Sequence, residues 1–134
     1  MAAEKHSQLR RKSSGPRAIE RIAAEDGRYA PQAFYFVYDA LDHKLGRTGK
    51  VRHLTAEKLL EGIRELALAR FGLMARVVLG QWGVSRTDDF GEIVFLLVDH
   101  GLLFKEESDS KEDFKDVYDF REAFDEAYRV PGHF

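Results

Sequence analysis

There is no cysteine among the 134 residues. That removes disulfides, thiolate nucleophiles and cysteine-containing metal centres, and it fits a reducing compartment, so the cytoplasm is the expected location. No apolar run approaches the roughly 20 residues that a membrane-spanning helix needs. The N-terminus has no apolar signal core either, so the sequence gives no support for secretion or membrane insertion. An excess of one charge is also lacking: 21 Lys and Arg stand against 23 Asp and Glu. With an ordinary apolar share, 10 Phe and 5 Tyr, the composition is that of a soluble globular chain long enough to bury one core.

The core must come mainly from residues 52–105, which hold the single Trp and most of the aliphatic residues. Leu54-Thr55-Ala56-Glu57 is a helix start: Thr55 can accept from a free N–H, Glu57 suits the positive first turn, and Leu54 can pack on Leu59. Leu59, Leu60, Ile63, Leu66, Ala67 and Phe71 then recur at three and four residues, and Gly72 can end the helix. Gly62 inside it is best explained by a close helix crossing, since glycine costs about 1 kcal/mol relative to alanine there. A shorter helix over Leu73 to Trp82 is expected to pack Leu73, Met74, Val77, Val78 and Trp82 inward, with Gly83 as its left-handed stop. Thr87, with Asp88 and Asp89 behind it, predicts the start of a nearly buried central helix carrying Phe90, Ile93, Val94, Leu97 and Val98.

Ahead of this stretch, residues 1–16 are polar, small and basic and are expected to form a flexible arm before one globular domain over residues 17–134. Arg17 to Asp26 predicts a short helix stopped by Gly27, and Pro31 can open the next, with Phe34, Val37, Tyr38, Leu41 and Leu45 at helical spacing. After Gly101, Leu102 to Lys105 reads as a strand; Phe114 to Phe120 suits its hairpin partner, with helix as the open alternative, and Arg121 to Tyr128 follows as a closing helix. The fold class is therefore mainly α, a compact multi-helix domain with a small β-hairpin. This order of elements also matches a winged helix-turn-helix domain. However, its reading helix would present Asp88, Asp89, Glu92 and Asp99, which phosphates repel, so such a shape would serve protein contact.

Only one segment is composed like an anion site. Residues 43–53 hold Lys44, Arg47, Lys50 and Arg52, together with His43, His53, Gly46 and Gly49, and no carboxylate. Glycine lets backbone N–H groups approach a phosphate and the cations supply charge. The spacing is not that of a P-loop, and Val51 stands where a magnesium-binding hydroxyl is required. Lys44, Arg47, Lys50, Arg52 and His53 are thus the candidate nucleic-acid contacts, weak and sequence-independent, assisted by the basic arm; the plain alternative is a solvated turn.

No catalytic residues can be assigned. The serines lack a nucleophile-elbow context, and the carboxylates between Glu106 and Glu126 lie in an acidic run that keeps them solvated. No metal-ligand spacing occurs among His43, His53, Asp99 and His100, and no cofactor motif is present. An enzyme site around His53 and His100 is the least supported reading, and His100 is better placed to meet free carbonyls at the end of the central helix. Lys5, Arg10, Arg11, Lys12 and Arg17 oppose only Glu4 at one end, while acids dominate after Phe104. Opposite ends of this kind suit an unknown protein partner or a homodimer.

The segments RHLTAEKLLEGIRELALARFGLMARVVLGQWGV, TDDFGEIVFLLVDHGLLFK and EDFKDVYDF together resemble an uncharacterised bacterial family of short conserved-hypothetical proteins, over about residues 19–124. That resemblance implies no activity, cofactor or catalytic residue. The leading expectation is a non-enzymatic cytoplasmic interaction module, with an accessory RNA- or DNA-binding protein as the alternative.

Overall fold

The computed structural model describes residues 10–11, 16–48 and 54–126, those at 10–11, 16–17 and 46–48 by their backbone alone. The described residues form five α-helices: α1 (Pro16–Asp26), α2 (Pro31–Thr48), α3 (Ala56–Phe71), α4 (Ala75–Gln81) and α5 (Thr87–Asp99). Short 3-10 turns at Gly72–Met74 and Lys111–Phe114 and a turn of π-helix at Arg121–Glu126 accompany them. The protein is a mainly helical, compact single domain. None of the helices among the described residues is long and apolar enough to cross a membrane.

Several helix ends are the ones that local chemistry dictates. The Thr55 hydroxyl accepts from the Lys58 N–H at 3.1 Å and opens α3. Gly72 closes it with φ +53°, donating to the Leu68 carbonyl. At the end of α4, Gly83 sits at φ +94°, and its N–H and that of Val84 bond to Gly80 and Leu79 at 3.0 and 2.9 Å. This is the paired 5→2 and 6→1 bonding of a Schellman cap. The same pattern closes α5, where Gly101 and Leu102 bond back to Val98 and Leu97. Gly83 has a second constraint: a Cβ built there would lie 2.3 Å from the Arg28 carbonyl oxygen. The corner between α1 and α2 is pressed against the end of α4, and the Ala30 N–H donates to the Trp82 carbonyl at 3.0 Å.

The core is built around α5, whose Phe90, Ile93, Val94 and Leu97 are fully buried together with Phe34, Val37, Leu59, Leu60 and Ile63 of α2 and α3. Helices α2 and α3 cross at Gly62, where a Cβ would stand 2.7 Å from Lys44 Cγ and 3.4 Å from the Ala40 carbonyl. Gly91 serves the same purpose on α5, against the Phe114 ring and Cβ. Phe36, Phe71 and Trp82 stack as a trio with centroids 5.6–5.8 Å apart. A second aromatic group joins Phe90, Tyr118, Phe120 and Phe124.

Four sequence expectations need correction. Among the described residues, strand pairing is confined to β1 (Arg10–Arg11) and β2 (Leu103–Phe104), antiparallel, so the partner of Leu103 and Phe104 comes from the expected N-terminal arm. Residues 114–120 form no strand, because their backbone groups are taken by side chains: Asp88 accepts from the Asp116 N–H and Thr87 from the Val117 N–H. Thr87 is consequently not the cap of α5 but its first residue, fully buried. Asp89 instead reaches back to the Ser85 and Arg86 N–H groups. On α4 the inward residues are Ala75 and Leu79, while Leu73 and Met74 of the preceding 3-10 turn and Val77 of α4 are 59%, 54% and 49% exposed. A seven-residue helix with apolar groups on both sides can bury only one of them, and the smaller side fits against the core.

Candidate functional site

Helix α2 runs through the expected basic loop as far as Thr48, so Lys44 and Arg47 are helical positions. The Lys44 ammonium is 3.5 Å from Glu61 and 3.4 Å from Glu65, both on α3. His43 Nε2 is 3.1 Å from the other Glu65 oxygen. Partial burial works to raise the Glu65 carboxyl, but the bond to His43 and the Lys44 charge override it and hold it below the ordinary range. Lys44 is thus engaged in tying α2 to α3 and has two carboxylates beside it, surroundings that disfavour a phosphate. Arg47 is placed by its backbone alone, and Lys50, Arg52 and His53 lie outside the described residues. His100 is exposed and its Nδ1–H donates to the Leu96 carbonyl at 2.9 Å, as a helix C-terminus invites. No group of three or more His, Asp or Glu able to hold a metal occurs among the described residues.

Among the described residues a concave surface lies elsewhere, where the segment 108–120 crosses the first turns of α3 and α5. Three adjoining clefts of about 380, 330 and 320 Å³ run along this crossing. Glu57 is common to the first two, and Tyr118 links the first to the third. Glu57, Glu61, Asp109, Asp113, Asp116 and Asp119 line this groove, against Lys58, Arg64 and Arg86. Arg86 is itself within 3.9 Å of Asp116 and 3.5 Å of Asp88. The groove is therefore a net negative trough.

Its shape follows from a few local bonds. Asp113 and Asp109 accept from the Ser110 and Glu106 N–H groups and fold the acidic run into tight turns. Asp116 adopts φ +48°, the left-handed region that aspartate tolerates better than most residues. The first turn of α5 fixes that bend through Asp88 and Thr87, and it leaves Val117 38% exposed between the charged walls. Below it, the Tyr118 hydroxyl donates to the Leu60 carbonyl at 2.7 Å and anchors the segment to α3. Burial pushes the Tyr118 phenol well above the ordinary tyrosine range. The clefts are open and largely charged, unlike the enclosed apolar cavities that take small ligands.

Sequence reasoning identified the acidic run, but not the groove. The two walls come from Thr55–Arg64 and Ser108–Phe120, far apart in the chain. The Tyr118 bond to Leu60 joins them directly, and Thr87 and Asp88 hold the second wall to α5; none of these pairings has a signature in spacing. No protein-family model, curated protein or solved structure matches the chain.

Proposed function

We propose that the chain is a non-enzymatic cytoplasmic interaction module whose acidic groove takes an extended, basic segment of a partner protein. The observation that carries this reading is the pairing of a charged trough with an exposed apolar centre: six carboxylates along the walls and Val117 between them. Complementary charge of this kind steers encounter and sets register, while a small apolar contact adds affinity. Asp109 and Asp113 accept from backbone N–H groups, so these two carboxylates are positioned before a partner arrives.

A fluorescently labelled Lys/Arg-rich decapeptide, followed by anisotropy at low and moderate salt, tests the reading. Glu57→Gln combined with Glu61→Gln should weaken binding about fivefold, from two exposed pairs at about 0.5 kcal/mol each. Glu25→Gln with Asp99→Asn, the same charge change at two other exposed positions, should leave it within about twofold. Equal weakening by the two pairs would reject the groove. Tighter binding of an oligonucleotide than of the peptide would favour the nucleic-acid reading, which now rests on residues other than Lys44.

A further inference from the structure

Two cations of α3 stand in the groove without a carboxylate of their own. Lys58 and Arg64 line the 380 Å³ cleft together with Glu57, Glu61, Val117 and Tyr118. Glu61 is three residues from each of them and so their neighbour on the helix surface, yet it lies 3.5 Å from Lys44 of α2. Glu65, the next acid along α3, is drawn to the same flank by Lys44 and His43. Among the described residues, no carboxylate is within ion-pair distance of Lys58 or Arg64. Arg86, the third cation of the groove, is by contrast held between Asp88 and Asp116. Burial raises the Tyr118 phenol and the Arg64 charge works against it, which sets the guanidinium close to the cleft. At the other end, the 330 Å³ cleft has Glu57, Asp109 and Asp113 in its lining and no cation. The groove is therefore polarised along α3, negative at its first turn and positive toward Arg64.

We infer that the segment it takes carries charges of both signs: a basic residue against Glu57, Asp109 and Asp113, and an acidic residue whose carboxylate meets Lys58 and Arg64. This rests on the reading of the groove as a peptide site and adds what that site selects. From Glu57 to Arg64 is about 10 Å along the helix axis, the length of about three extended residues, so the two charges stand about three positions apart with an apolar side chain over Val117 between them. A wholly basic segment sets like charge against Lys58 and Arg64, which selects against it. A carboxylate suits these cations better than a phosphate, because Glu57 and Glu61 share the cleft and repel a second negative charge.

Two fluorescent decapeptides, compared by anisotropy with the full-length protein, test this. Each carries an arginine and a following leucine, and they differ only in having glutamate or glutamine three positions after the arginine. The glutamate peptide should bind about threefold tighter, the effect of one carboxylate on two partly exposed cations. In Lys58→Gln with Arg64→Gln the difference should fall below about 1.5-fold. The glutamine peptide shows whether that variant site is intact, since its affinity should hold or rise. Arg21→Gln with Arg70→Gln, at two exposed cations outside the clefts, should keep the full difference. Equal affinities of the two peptides for the unaltered protein would overturn the inference, and so would a preference that survives the loss of Lys58 and Arg64; either result leaves the groove itself standing as a peptide site. Binding of neither peptide, nor of the wholly basic one, would remove both readings.

Discussion

Removing the hydrogen bond between Tyr29 and Asp89 tests how the α1–α2 corner is fastened to the central helix. The Tyr29 hydroxyl donates to Asp89 Oδ1 at 2.7 Å, and the other oxygen accepts from the Ser85 and Arg86 N–H groups at 2.9 and 3.2 Å. Tyr29→Phe deletes the donor and leaves a carboxylate oxygen unpaired at a buried ring, a cost of about 2 kcal/mol for a bond to a charged group. Asp89→Ala loses that bond and the cap as well, the latter worth about 1 kcal/mol, so about 3 kcal/mol in all. In the double variant no orphan remains, and the total should stay near 3 kcal/mol, giving a coupling of about 2 kcal/mol. Urea unfolding at 25 °C reads this directly: with a slope of about 2 kcal/mol per molar, Tyr29→Phe should lower the midpoint by about 1 M. Losses that simply add, within about 0.5 kcal/mol, would refute the reasoning. The corner would then be held by the Ala30 to Trp82 bond and the Arg28–Glu92 ion pair instead.

Other consequences can be measured with the same assay. Gly83→Ala meets both a positive φ and the Arg28 carbonyl, so it should cost at least about 2 kcal/mol, while Gly80→Ala, with open space at its Cβ, should be neutral or stabilising by up to about 1 kcal/mol. Phe114→Ala empties the space against Gly91 and should cost about 3 to 5 kcal/mol; a loss under about 1 kcal/mol would mean that the 3-10 turn is not packed on α5 as described. Burial, helped for Tyr29 by the bond to Asp89, raises the phenols of Tyr29 and Tyr118 above the ordinary value of 10. The folded state therefore holds protons that the unfolded chain releases, so this stability is complete below pH 10 and declines above it. The slope should be up to about 1.4 kcal/mol per pH unit for each tyrosine, and Tyr29→Phe should remove one share.

The helices were legible because their ends carry local chemistry. Thr55, Gly72 and Gly83 act within a few residues of themselves, so spacing alone reveals them. Gly62 was legible for a related reason, since a glycine inside an amphipathic run needs a neighbour that explains it. The orientation of α4 was not legible, because periodicity records that Leu73, Met74 and Val77 are apolar and says nothing about which of two apolar sides finds the core. Nor was the fate of residues 114–120. Alternating aromatics suit a strand, but Thr87 and Asp88 capture the backbone of Asp116 and Val117 from 28 to 30 residues away, and that capture also creates the groove. Of the basic candidates, Lys44 has partners that its own segment does not show: Glu61 and Glu65 stand on another helix, and a cation's surroundings cannot be read from its neighbours in sequence.

The double fastening at Gly83 bears on how α4 can behave as a surface. With the Schellman bonds closing its end and the Trp82 carbonyl tied to Ala30, the helix has no free joint about which to swing. It is a fixed plate rather than a lid. Whatever rests on Leu73, Met74 and Val77 meets side chains whose backbone is already immobile, so the entropic cost of association falls almost wholly on the visitor.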